Sequence, residues 1–295
     1  MTNTTRRQML ITAGMSLAAF GAGTQVNGKT TAEGTVLDFS GIPAEIMESE
    51  GGWKYLPIDP KKAADDSYAL FMEGACHYAS FRAIVTNVAQ TLLATGNEKD
   101  AMYARNYLTF PFYMMVYGQA GLAFYGSLCG AVNGCAAALS VFVPNREDKF
   151  AMLRDLAVYH EETPLPIYVP RGTDSEKIMP NPAKSILCHV ALKNWANSNK
   201  ATVDQRVERC KRLTSDMVIR TVELLNEYHT ARQKADADVK NFAPLMSLAA
   251  LTPETQSCVE CHSLSQSRNT GVIGRMNCTT CHSDIDMGSE CPRGK

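Results

Sequence analysis

The pattern C-x-x-C-H occurs twice near the C-terminal end, as Cys258-Val259-Glu260-Cys261-His262 and as Cys278-Thr279-Thr280-Cys281-His282. Such a spacing suits covalent haem c. The two thiols add across the porphyrin vinyl groups, and the adjoining histidine supplies an axial nitrogen to the iron. Structural zinc is the competing reading, because C-x2-C-x16-C-x2-C also fits a ribbon. A ribbon needs four thiolates and has no use for a histidine directly after each pair. Two haems are therefore expected, anchored by Cys258, Cys261, Cys278 and Cys281, with His262 and His282 as proximal ligands.

The chain has ten cysteines, and six lie outside these motifs: Cys76, Cys129, Cys135, Cys188, Cys210 and Cys291. In an exported chain the default is disulfides. Their spacing has no small-scaffold rhythm, however, and the chain is long enough to form a core without staples. Cys76, Cys129, Cys188 and Cys210 fall on four separate expected helices, and helical bundles build cofactor sites from residues on facing helices. Four thiolates match the demand of an iron–sulfur cluster. Taken singly, each could equally be a buried free cysteine acting as a small apolar residue. Cys135 is a fifth candidate ligand, and Cys291 either pairs with it or stays free.

The elements that must position these residues are mainly helical: a helical bundle domain followed by a small irregular C-terminal dihaem-binding segment. Residues 25–58 read as an irregular lead-in. Asp59-Pro60 is a cap with proline in the first turn, opening a helix to about Ala94, and a second helix covers Glu98 to Tyr107. Phe112 to Val143 is strongly apolar but interrupted by glycine, and is expected to form buried helices, not a membrane span. Gly126, Gly130 and Gly134 fall at i, i+4 and i+8, a smooth helical stripe that lets a backbone or cofactor approach. Asn145 caps a helix to about Thr163, Pro164 to Pro182 is extended, and Asn181-Pro182 signals a helix through Trp195 bearing Cys188 and His189. Thr202 caps the longest helix, Val203 to Lys234, with an apolar stripe of Val207, Met217, Val218, Val222 and Leu225. Residues 59–235 thus form the helical domain, 236–256 a linker and 257–295 the dihaem segment. That tail has almost no aliphatic residues, so haem must serve as its core.

At the N-terminus, Arg6-Arg7 precedes a weakly apolar stretch from Ile11 to Ala22, which resembles a twin-arginine export signal over residues 1–24. A polar tail that happens to carry two arginines is the alternative. Loss of the signal takes the formal net charge from −1 to −3, which gives no reason to expect nucleic acid or an anionic membrane as partner. The twin-arginine route moves folded proteins, whereas haem c is attached after export. A cluster inserted before export would account for that choice of route.

The run Cys76, Cys129-Gly130-Ala131-Val132-Asn133-Gly134, Cys188, Cys210, completed by the two haem motifs, resembles the split-Soret cytochromes c. It is similar also to a broader group of redox proteins with a Cys, Cys-Gly-Ala-x-x-Gly, Cys, Cys pattern. The likeness covers about residues 60–235 and the two motifs, and Cys135 is extra to it. It implies a homodimer with two haems per chain, bis-histidine ligation, four haems clustered at one end, an iron–sulfur site, and an axial histidine able to cross the dimer interface. The distal ligands must come from His77, His160, His189 and His229, or from Met. His229 ranks first for its place near the linker, and His160 second. His77 and His189 each follow a candidate cluster cysteine and could instead donate hydrogen bonds around it. Bis-histidine iron has no open position for substrate, so the expected function is periplasmic electron transfer with redox proteins as partners, in a low-potential anaerobic chain. The alternatives are a haem-dependent reductase of a small nitrogen or sulfur oxyanion, and a structural zinc module.

Overall fold

The structure is a computed structural model that describes residues 29–31, 34–36, 52–172, 178–234, 251–259 and 276–280. The expected export signal, most of the linker, and Cys261, His262, Cys281, His282 and Cys291 lie outside the described residues. The chain divides into two units, residues 1–49 and 50–295. In the first, strands β1 (Lys29–Thr31) and β2 (Gly34–Val36) pair antiparallel with Thr30 opposite Thr35, so part of the supposedly irregular lead-in is a small ribbon.

The second unit is helical. Helix α1 (Pro60–Ala94) starts where the cap signal places it: the Asp59 carboxylate accepts from the Lys61 and Lys62 amides, at 2.8 and 3.2 Å. Helices α2 (Glu98–Leu108) and α4 (Arg146–Glu162) are capped in the same way by Asn97 and Asn145. Between them lies α3 (Gly130–Phe142). Helices α5 (Cys188–Asn199) and α6 (Val203–Lys234) follow, and α7 (Pro253–Val259) opens the C-terminal segment. The long α1 and α6 pack together at the centre, with α3 against both. Phe81, Ile84 and Leu92 of α1, Leu139 and Phe142 of α3, and Met217, Val222 and Tyr228 of α6 are fully buried between them. Of the expected α6 stripe only Val207 fails, being 40% exposed; it stands at the N-terminal end of α6, ahead of the buried stretch.

Two stretches depart from expectation. Phe112 to Val143 is not a run of buried helices. It opens with a 3-10 helix, Phe112–Gly118, and continues through Ala120 to Phe124 with five successive left-handed residues before α3 begins. Left-handed backbone strains any residue with a Cβ, and here it leaves Leu122, Phe124 and Tyr125 exposed. Gly126 falls in this turn, at φ +78°, so the stripe retains only Gly130 and Gly134 on the helix. The second departure follows Asn181-Pro182, where the chain stays extended to Leu187 because its backbone is occupied elsewhere. Asn181 pairs with Leu165, and Ile186 to His189 pair with Gly126 to Cys129. No helix among the described residues is long and apolar enough to cross a membrane.

Candidate metal centre

Helix α1 is broken inside. Gly74 (φ −157°, ψ 18°) and Ala75 (φ 61°, ψ −167°) leave helical geometry, and the helix restarts at Cys76. A non-glycine residue at such angles costs about 1–3 kcal/mol and persists only where its surroundings enforce it. The break presents Cys76 at a fresh helix start. Cys129 stands immediately before α3, at its N-cap position. Cys188 is the first residue of α5. A short antiparallel ladder fixes these two: the Cys129 amide donates to Ile186 O at 2.9 Å, and the Cys188 amide to Ser127 O at 2.6 Å. Three of the four cysteines therefore sit at helix N-termini, where the helix dipole favours negative charge and thiolate. Cys210 completes the set from α6.

All four line one cavity of about 20 Å³, together with Arg209 and Thr214. The backbones around it approach closely. A Cβ on Gly130 would lie 2.4 Å from Cys76 Sγ and 2.7 Å from Gly118 O. Burial pushes the thiols of Cys76, Cys129 and Cys188 up, the last to about 12, so without a bound cation these three are neutral. Arg209 is 2% exposed, and its Nη1 lies 3.9 Å from Cys210 Sγ. Its Nε and Nη2 have no hydrogen-bond partner among the described residues.

Four thiols around one cavity are a donor set that could hold a thiolate-ligated metal group. Among the described residues no three His, Cys, Asp or Glu side chains close on a single point. Thiols spread around a shared hollow suit a cluster, whose irons stand between its thiolates. Cys135 is not part of the cavity wall. It is fully buried on α3, against Ser80 and Thr221. No disulfide joins two cysteines among the described residues.

The described parts of the haem-motif segment dock beside this pocket. Helix α7 ends in the first motif, and Cys278–Thr280 forms a short 3-10 turn against it, with Thr255 Oγ1 donating to Met276 O at 3.0 Å. Cys258 and Cys278, the opening cysteines of the two motifs, are both half-buried here. The seat is made by the end of α4 and the extended stretch before α5. The buried Glu161 carboxylate accepts from the Ile186 amide at 3.1 Å, and the Asn277 backbone lies beside it. Lys184 pairs with Glu162 at 2.6 Å and Glu254 at 3.6 Å, and its carbonyl accepts from Thr280 Oγ1 at 3.3 Å.

The four described histidines separate sharply. His160 is fully buried, with neither ring nitrogen hydrogen-bonded, and burial holds it neutral with a pKa of about 3. It lies in the core, where sequence places it facing a proline-rich loop. His77 is buried against Tyr117 and Gly118. His229 is half-buried, stacked on Tyr55, with Nε2 3.0 Å from Phe142 O. His189 is exposed, one residue from Cys188.

With this geometry in hand, similarities to known proteins can be placed on it. Residues 87–224 match the family described as "Putative redox-active protein (C_GCAxxG_C_C)". The matched stretch contains Cys129, Cys135, Cys188 and Cys210 but not Cys76. The Gly-Cys-Ala of the family description occurs here as Gly134-Cys135-Ala136, with Leu139 where the pattern has its last glycine, while Cys129 is followed by Gly130-Ala131. A curated protein, the split-Soret cytochrome c of Desulfovibrio desulfuricans, is 31% identical over 240 residues, covering 79% of this chain and 78% of that one. A solved structure described as "A novel iron centre in the split-Soret cytochrome c from Desulfovibrio desulfuricans ATCC 27774" is also similar. It has a TM-score of 0.64 and 28% identity, over 80% of this chain and 92% of the other.

Proposed function

The chain belongs to the split-Soret cytochrome c family of electron-transfer proteins, and on that footing we propose that it is a periplasmic dihaem cytochrome whose haems exchange electrons with an iron–sulfur centre. The observation that carries this reading is the docking of the haem-motif segment beside the four-cysteine pocket. Thr280, inside the second motif, touches the Lys184 carbonyl, and Lys184 is four residues from Cys188. Four residues span at most about 14 Å when fully extended, so this strap offers a short route between the two kinds of centre.

Cys258, Cys261, Cys278 and Cys281 would hold the haems, with His262 and His282 beneath the irons. Bound haem supplies one-electron chemistry at iron. The protein's own contribution is placement: Glu161 and Lys184 seat the segment, and the motif cysteines fix each porphyrin edge. Cys76, Cys129, Cys188 and Cys210 would hold the iron–sulfur group. For distal ligation, His189 ranks ahead of His229 and His160, because it is the exposed one of the four described histidines and stands in the first turn of α5, directly after the strap that meets the docked motif. His160 would have to leave the core to serve. Two haems per chain, bis-histidine ligation and low potential favour a carrier over a reductase. A homodimer would cover the haem edges, and redox proteins outside the cytoplasm would be the partners. Export by the twin-arginine route fits a cluster inserted before translocation.

The test is stoichiometry on exported, purified protein: a pyridine haemochrome assay and intact mass for haem, with iron and acid-labile sulfide for the cluster. Two haems per chain with iron in excess of haem support the proposal. A chain without covalent haem overturns it, and carbon monoxide uptake by the intact protein favours the reductase.

A further inference from the structure

Resting on the reading of the four cysteines as a cluster site, we infer that Arg209 is the built-in counter-charge of that site, a positioning residue that raises its reduction potential. Arg209 lies on α6 directly before Cys210 and faces the same cavity as the four thiols. It is 2% exposed, and a guanidinium keeps its charge even there. A buried charge without a close partner is costly, yet no carboxylate among the described residues lies within ion-pair distance of it; buried Asp216, two turns on along α6, attracts it only at longer range and is held by the Ile167 and Tyr168 amides. The contrast is one turn away on the same helix. Arg212, equally enclosed, has Glu208 at 2.6 Å. Arg209 instead lies over Trp195, with its guanidinium carbon 6.0 Å from the ring centroid. Two of its nitrogens have no acceptor among the described residues.

The missing partner is anionic and belongs in the cavity. Four thiolates outweigh the positive charge of the common iron–sulfide cores, so the loaded site carries net negative charge. Each electron accepted deepens it: one ferric ion becomes ferrous, a donor haem goes from ferrous to ferric, and no bond breaks. A fixed guanidinium in a low-dielectric pocket stabilises the reduced form more than the oxidised one. The three helix N-termini at Cys76, Cys129 and Cys188 act in the same direction, but their dipoles are fixed by the fold, whereas Arg209 is one replaceable side chain.

The experiment is a spectroelectrochemical titration of the full exported protein, following the iron–sulfur and haem bands separately, for the unaltered chain, Arg209→Gln and Arg209→Lys. Arg209→Gln is expected to make the iron–sulfur centre at least tenfold harder to reduce, about 59 mV for one electron. Arg209→Lys should recover most of that shift, and the haem potentials should move less. An unchanged centre potential in Arg209→Gln with iron content intact overturns the inference, as does an equal shift in the Gln and Lys variants. If Arg209→Gln cannot retain iron, retention by Arg209→Lys supports the counter-charge and equal loss by both overturns it. Absence of non-haem iron in the unaltered protein overturns the cluster reading itself, and this inference with it.

Discussion

Replacing Gly130 by alanine tests the cysteine pocket through its backbone. By helix propensity alone the change should help, since alanine is preferred to glycine inside a helix by about 0.5–1 kcal/mol. The surroundings decide otherwise. The new Cβ would stand 2.4 Å from Cys76 Sγ and 2.7 Å from Gly118 O, so the neighbours must retreat by about an ångström to reach ordinary contact. Neither is the free end of a long side chain. Gly118 O is backbone, and Gly118 is itself pressed against the His77 ring. Overpacking of this kind costs about 1–3 kcal/mol, which outweighs the propensity gain. At roughly 2–4 °C per kcal/mol for a domain of this size, the melting temperature should fall by about 2–8 °C. Displacement of Cys76 should also strip iron from the pocket while covalent haem remains. Gly96→Ala is the control. Gly96 has a positive φ of +69° but nothing within 4 Å of a new Cβ. It should lose about 1 kcal/mol through backbone strain alone and keep its iron. The measurements are thermal melts and the ratio of non-haem iron to haem. A Gly130→Ala protein with full iron and an unchanged melt would refute the packing argument.

Cys188→Ser should abolish non-haem iron and leave both haems attached; metal analysis showing unaltered iron would remove Cys188 from the ligand set. Lys184→Ala breaks the pairs to Glu162 and Glu254. Exposed pairs are worth about 0.2–1 kcal/mol each, so global stability should barely move, while limited proteolysis should cut the C-terminal segment faster, most visibly at low salt; equal cutting rates would argue against Lys184 as part of the seat. Asp216 is buried beneath the Ile167 and Tyr168 amides, and burial lifts its pKa from 3.8 to about 7. Between those values the native state keeps a proton the unfolded chain has lost, so this group's contribution to stability falls as pH rises through that window. Asp216→Asn should flatten the pH dependence of urea unfolding between about pH 4 and 7; parallel curves for the two proteins would refute it.

What the sequence could reveal here is what is local. A haem motif is five residues long and needs no fold to be recognised. The helix starts at Asp59 and Asn145 were legible because capping is a three-residue transaction, and the buried half of the α6 stripe because its period is helical. The cysteines could be assigned to four helices, but their placement at helix starts could not. Ala75 carries no sign that the helix breaks before Cys76; only the adjacent Gly74 hints at it. The left-handed run from Ala120 to Phe124 defies the preference of its own residues and is held by turn hydrogen bonds such as Ala123 N to Tyr117 O and Gly126 N to Ala120 O. The late start of α5 reflects pairing with Gly126–Cys129, residues nearly sixty positions earlier. Arg209 was invisible as anything but one arginine among many on α6, because its meaning lies in its burial against the thiol cavity without an ion pair among the described residues, which depends on tertiary packing.

The seat beneath Asn277 and Thr280 is composite. It is made from Glu161, at the end of one helix, and Lys184, on a strap that follows a long proline-rich excursion. Neither half can grip alone. The described part of the C-terminal segment thus rests on two stretches more than twenty residues apart in sequence, and the full set of its contacts exists only where both are in place.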